Sequence, residues 1–316
     1  MRIKPSKPSA RPPAAACALL LALAAVLLAA VPQPTASAQS GRQPKSDKGE
    51  PQPTPSPAPL KRTTTRRESR RLGYGGSVTL YGAPEGSVTV EGWSRDEVEI
   101  TAEVEQTADT EENLTRLAAV NTFTVDEDLN HVRVMTVGLH DRKYARRAAR
   151  GLPKHLQAMP WKIDYKLKVP AAVDLEINAG RGALVVSGVE GGLRINAGGG
   201  GGDSLFALAG GDVEATLASG PVTVRVPARS WRGRGLRLRV ATGDLTVELP
   251  PGFSGDVDAE VLRAGRVQND FPGLAPRDRT KPDERTLQAR AGNGGATLSF
   301  TVTDGTLRLT QARGRQ

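Results

Sequence analysis

An all-β fold, a single-domain β-solenoid or β-helix-like stack of short Gly-punctuated strands or an elongated β-sandwich-like stack, with a small α-containing insert, is predicted by three features of this sequence. Apolar runs of four to six residues alternate in and out and are cut off by Gly, Asn, Ser or Asp, most regularly between Asp174 and Pro227. Leu175-Glu176-Ile177-Asn178-Ala179-Gly180 returns 18 residues later as Leu193-Arg194-Ile195-Asn196-Ala197-Gly198, with a half-unit, Ala183–Gly188, between them. Finally, 35 Gly and an aromatic fraction of only 4% suit thin, regularly stacked coils better than a bulky enzyme core. A unit this short cannot bury its own apolar face and must lean on its neighbours.

The chain has 316 residues and a formal net charge of +9. That excess sits at the front: residues 1–73 carry 13 basic and 3 acidic side chains, leaving 30 basic and 31 acidic for the rest. A folded part this close to neutral lacks the footprint of a nucleic-acid binder. The one cysteine, Cys17, lies near the start of an apolar run. It stands in the wrong place for lipid attachment, and the segment after residue 38 has no thiol or disulfide chemistry.

In chain order, a basic lead (Met1–Pro13), an Ala/Leu/Val run (Ala14–Val31) and Ala36-Ser37-Ala38 read as a secretory signal peptide, residues 1–38, cut after Ala38. An uncleaved membrane anchor is the rival reading, because the run is about long enough to span. Residues 39–73 read as a disordered, Pro-rich basic linker, since Pro51–Pro59 alternates Pro with small or polar residues. Its basic run, Lys61–Arg71, reads either as a tether touching an anionic membrane or wall surface or as a solvated spacer. The domain proper is expected over 74–311, with a short tail at 312–316.

Within that domain, Gly76–Gly82 recurs ten residues on as Gly86–Gly92, and Val98–Val104 alternates in the same way. Val78, Leu80, Val88, Val90, Val98, Ile100 and Ala102 are the expected inward residues. Residues 105–160 break the rhythm and read as an α-containing insert. Thr110–Val120 opens with a capping residue and early acids, and Asp141–Gly151 closes on a glycine, so both read as short helices. Val132–Val137 reads as a strand between them. Asp96–Asp128 holds eleven acids and one base, and His140–Lys168 nine bases and two acids. These stretches either face each other or are separately solvated, or else the basic helix offers a patch to an anionic glycan or lipid. Trp161–Pro170 is a long strand leading into the central repeats, followed by Leu236–Val240, Leu245–Leu249 and a strand through Val257 and Val261. Gln268–Glu284 reads as a loop, and Thr286–Ala291, Ala296–Val302 and Gly305–Thr310 as the last strands.

Gly86-Ser87-Val88-Thr89-Val90-Glu91-Gly92-Trp93 with Asp96–Ile100, the strand ending Leu167-Lys168-Val169-Pro170 before Leu175-Glu176-Ile177, and the closing Asp304-Gly305-Thr306-Leu307-Arg308-Leu309 resemble the putative-adhesin family of exported bacterial proteins, over about 74–311. The resemblance implies a β-solenoid domain of unknown function with surface exposure, and it brings no catalytic residues with it.

Chemistry-bearing constellations are few. Gly198–Phe206 fits one nonapeptide unit of a calcium-binding β-roll, with Asp212 nine places after Asp203, but the next unit sets Glu214 where an apolar side chain belongs. A Gly-rich turn is the plainer reading. His131, His140 and His155 have no ligand spacing. Asp203, Asp212 and Asp244 could line one edge, as β-helix polysaccharide lyases require of their carboxylates, or serve as turn formers. No catalytic, cofactor-binding or metal-binding residue is assigned, and no cofactor. The expected function is a non-enzymatic exported surface or periplasmic protein, an adhesin or scaffold for an envelope or extracellular ligand (glycan, protein or surface). The alternatives are a β-helix carbohydrate-active enzyme and a membrane-tethered envelope sensor or assembly factor that retains the Ala14–Val31 run.

Overall fold

The alternation read from the sequence is the alternation that is buried. The computed structural model describes residues 59–277 and 283–312, and there Val78, Leu80, Val88, Val90, Val98, Ile100 and Ala102 are all buried. The signal-peptide reading, the linker up to residue 58 and residues 313–316 of the tail lie outside the described residues.

Strands β1 (Leu60–Arg71), β2 (Ser77–Glu85), β3 (Val88–Trp93) and β4 (Glu97–Ala108) precede helix α1 (Glu111–Ala118). The hairpin of β5 (Thr122–Asp128) and β6 (His131–Val137) leads to α2 (Arg142–Ala148), a 3-10 turn (Ala149–Gly151) and α3 (Lys154–Gln157). Then come β7 (Trp161–Pro170), β8 (Asp174–Arg181), β9 (Leu184–Ser187), β10 (Gly192–Ala197), β11 (Ser204–Ala207), β12 (Gly210–Ser219), β13 (Val222–Arg225), β14 (Arg232–Thr242) and β15 (Leu245–Leu249). The described chain ends with β16 (Gly255–Ala264), β17 (Val267–Asn269), β18 (Leu274–Pro276), β19 (Thr286–Ala291), β20 (Thr297–Asp304) and β21 (Leu307–Gln311).

These strands form two large sheets and no closed barrel. The ten-stranded sheet runs β1-β4-β7-β3-β9-β11-β13-β15-β21-β17, and the eleven-stranded sheet β18-β19-β16-β20-β14-β12-β10-β8-β2-β6-β5. From β8 to β17 consecutive strands alternate between the sheets. Each pairs in parallel with the strand two places away or, beside β20 and β21, with that inserted pair. The 18-residue repeat lies in register, Leu175 against Leu193 and Ile177 against Ile195. The ten-residue repeat does not pair with itself, because its copies, β2 and β3, belong to opposite sheets. One apolar core of Val, Leu and Ile runs between the sheets.

The turns leaving the eleven-stranded sheet explain part of the glycine content. The Cβ of an Ala at Gly243 (φ 139°) would stand 2.2 Å from the Gly220 carbonyl oxygen, and one at Gly305 2.0 Å from that of Gly243. Successive turns approach so closely that only glycine fits.

Several expectations are corrected. Residues 60–71, read as linker, are strand β1, antiparallel to β4. The basic run therefore meets the acids of β4 rather than standing free: Lys61 Nζ lies 2.9 Å from Glu105. On the other side of β4, Lys162 is 3.7 Å from Glu105 and Lys168 3.5 Å from Glu99. The acidic and basic stretches thus face each other, through β4 and β7. The expected insert at 105–160 holds β5 and β6, two strands of the eleven-stranded sheet. Its helices enclose a second small core of Ala108, Leu114, Leu117, Val120, Leu152 and Leu156. Thr110 caps α1 by accepting from the Asn113 N–H at 3.2 Å. The expected loop at 268–284 contains the end of β17 and the short β18.

Candidate binding face

Because every second residue of a strand points outward, in-register parallel pairing turns each outward position into a row across the sheet. On the outer side of the eleven-stranded sheet one row reads Asn178, Asn196, Thr216, Arg239 and Thr301. Asn196 Nδ2 donates to Asn178 Oδ1 at 3.4 Å, and Asn178 Nδ2 to Glu176 Oε1 at 2.9 Å. The next positions toward the strand ends are small: Gly180, Gly198, Ala218, Ala241 and Thr303. Small side chains beside a polar row leave a groove of about 850 Å³ that crosses β8, β10, β12, β14 and β20. Pro84 lines it on β2 and Leu262 on β16, each beside a register break in its strand. A bulge re-aims side chains, and these two bound the groove. At about 4.8 Å per strand step, the groove from β2 to β16 runs for roughly 29 Å.

A second groove of about 570 Å³ lies at the opposite ends of the same strands. It is charged, lined by Asp174, Glu176, Asp212 and Glu214 together with Arg194, Arg234 and His131. Arg234 is 3.3 Å from Asp212. At its margin His131 Nδ1 lies 2.6 Å from Ser77 Oγ, and Nε2 3.3 Å from Thr79 Oγ1. Hydroxyls hold both ring nitrogens, so no carboxylate orients this imidazole as general-base catalysis by a triad requires.

The other singled-out residues are dispersed. Asp203 and Asp244 share a turn position in the ten-stranded sheet, two strands apart, whereas Asp212 belongs to the eleven-stranded sheet. The three do not line one edge. Asp244 Oδ1 accepts from the Thr306 N–H at 2.8 Å, which is turn chemistry. Glu214 points outward, between buried Val213 and Ala215. The five-glycine run packs on other turns: a Cβ at Gly199 would meet the Ser219 carbonyl oxygen at 1.8 Å, and one at Gly201 the Gly182 Cα at 2.6 Å. His140 packs against Trp161, with ring centroids 5.5 Å apart, and burial pushes its imidazole pKa down. His155 lies 4.0 Å from Asp109. Among the described residues no group of three or more His, Cys, Asp or Glu is placed to hold a metal ion, and no helix is long and apolar enough to cross a membrane.

Sequence reasoning passed over the groove. Its signal was the recurrence of Asn-Ala-Gly at 178–180 and 196–198, which was legible as a repeat but not as a shared outer surface.

No protein-family model matches the chain, and no curated protein matches it. Among solved structures it is similar to a putative cell adhesion protein from Clostridium sporogenes (11% identity, TM-score 0.40, covering 79% of this chain and 100% of that one). It is also similar to a putative adhesin from Bacteroides fragilis (9%, TM-score 0.30, 79% and 97%) and a putative lipid binding protein from Parabacteroides distasonis (9%, TM-score 0.20, 79% and 97%).

Proposed function

We propose that the chain is an exported, non-enzymatic surface or envelope protein that binds an extended extracellular or envelope polymer across the outer face of its eleven-stranded sheet. The alternation of consecutive strands between two sheets supports reading the domain as a β-solenoid, with β8-β9, β10-β11, β12-β13 and β14-β15 as successive coils. The observation that carries the functional reading is the Gly/Ala-floored groove beside the Asn178–Thr301 row. It is long, shallow and open, and it offers amide and hydroxyl donors and acceptors at regular spacing, as an extended chain requires. Exposed Ala241 lies on its floor, so Ala241→Trp fills the groove without entering the core.

Arrays of bacterial-envelope and extracellular glycans and matrix proteins, probed with the exported protein, should show binders that the Ala241→Trp variant loses at least about tenfold. Binders indifferent to the tryptophan would overturn the groove as the site. New unsaturated ends in uronic-acid polymers incubated with the protein would overturn its non-enzymatic character.

A further inference from the structure

Many cations of this molecule pair with carboxylates, and the second half of the helical insert concentrates cations that do not. Across β1, β4 and β7, Lys61, Lys162 and Lys168 meet carboxylates. The same holds on the later strands for Arg225, Arg232 and Arg263. Arg142, Lys143, Arg146, Arg147, Arg150 and Lys154 are all exposed, and none forms a side-chain hydrogen bond or ion pair with another described residue. The acids around them are engaged elsewhere. Asp141 Oδ1 accepts from the Lys143 and Tyr144 N–H groups, Glu112 pairs with Arg116 at 2.6 Å, and Asp109 accepts from Asn113 Nδ2 at 2.6 Å.

Five of the six cations are also sorted in space. At 100° per residue, positions 142, 143, 146, 147 and 150 fall within an arc of roughly 140° on α2 and the turn that follows it. Tyr144 falls outside that arc and packs on the second core. Arg142/Arg146, Lys143/Arg147 and Arg146/Arg150 are like-charge pairs four apart, which disfavour the helix. Among the described residues no carboxylate pairs with these cations, which leaves the face open to an anionic partner.

We propose that the outer face of α2 and its following turn docks onto the anionic headgroup layer of a lipid bilayer. The surface is helical, and neither groove of the binding face includes any of the six cations, which suits a planar partner rather than a threaded chain. Four of the six are arginine, whose planar fork pairs bidentately with phosphate. Among the described residues the exposed large apolar side chains lie elsewhere, at Leu60, Tyr74, Tyr81, Leu129 and Leu262. Docking is therefore electrostatic and superficial, without insertion.

Co-sedimentation of the full exported chain with vesicles of phosphatidylcholine alone and with added phosphatidylglycerol tests this. The readout is the difference between the two, so that any apolar segment, which binds both, cancels. Binding should require the anionic lipid and be abolished by about 0.5 M salt. Arg146→Gln/Arg147→Gln/Arg150→Gln, with an unchanged melting temperature, should lower the partition coefficient about 100-fold. Arg67→Gln/Arg71→Gln on β1 should change it less than about threefold. No preference for anionic vesicles, a triple variant that binds as the parent does, or capture by a soluble polyuronate with none by vesicles would each overturn the proposal.

Discussion

Ile195 and Asn196 are adjacent in the chain and opposite in consequence. Ile195 is 1% exposed, paired in register with Ile177 and Ala215, while Asn196 faces solvent in the candidate row. Burying such a side chain is worth about 1.5–3 kcal/mol, and an aspartate there adds an unpaired buried charge. Ile195→Asp should therefore cost more than about 4 kcal/mol, and Asn196→Ser less than about 0.5 kcal/mol, as read from urea midpoints. Equal midpoints would place the inward face wrongly. Gly243 gives the backbone counterpart. Its φ of 139° and the Gly220 oxygen 2.2 Å from the added Cβ mean that Gly243→Ala must strain the residue and push neighbouring turns apart. At Gly75 (φ 70°) nothing stands within 4 Å of an added Cβ. Gly75→Ala should cost only the conformational penalty, about 1 kcal/mol, and Gly243→Ala at least about twice that.

Strand β1 shows why some elements were legible in the sequence and others were not. The central strands announce themselves because one face is apolar throughout, and so does the capped α1. Neither face of β1 is apolar. Opposite the buried Val98, Ile100 and Ala102 of β4 it sets Arg70, Glu68 and Arg66. Arg66 donates to the Phe123 carbonyl oxygen at 3.0 Å, and its guanidinium lies 4.7 Å from the Phe123 ring centroid. Arg70 is 2.6 Å from Glu68. Charged side chains turned toward the interior protect an edge strand from pairing with other chains, but apart from Glu68 their partners, Phe123 and Glu127, come from β5, which no local pattern shows. Arg66→Ala should cost about 1–2 kcal/mol; an unchanged thermal midpoint would deny β1 this closing role. Near the β18 edge of the eleven-stranded sheet, Asp256 lies 2.7 Å from Arg290 and 3.5 Å from Arg277. The Arg290 hydrogen bond, with both guanidinium charges, holds its carboxyl below the ordinary range against the opposing effect of burial. A depressed carboxyl stabilises the fold above its unfolded pKa of about 3.9, and that contribution is lost as pH falls through the lower folded value. Between pH 6 and 3 the parent protein should lose more stability than Asp256→Asn; parallel losses would exclude the linkage.

At the scale of the whole molecule, the order of strands in space departs from their order in the chain, and the departure has mechanical consequences. β20 lies between β14 and β16, and β21 between β15 and β17, so the last two described strands are interior to both sheets. In a simple stack of repeats, removing the final unit would cost little more than that unit. Here, removing residues after Asn293 takes the parallel partner from β16 and one of two from β14, and uncovers Val257, Ala259 and Leu238, which are buried beside Leu298 and Phe300 in register. Such a truncation should abolish the cooperative unfolding transition of the whole later half, β14 onward. In the intact protein the amides of β20 and β21 should exchange as slowly as those of β12, despite their nearness to the end of the sequence. Fast exchange there, with slow exchange in β12, would mean that β20 and β21 add to sheets already stable without them; slow exchange would mean that the two strands are integral to both sheets.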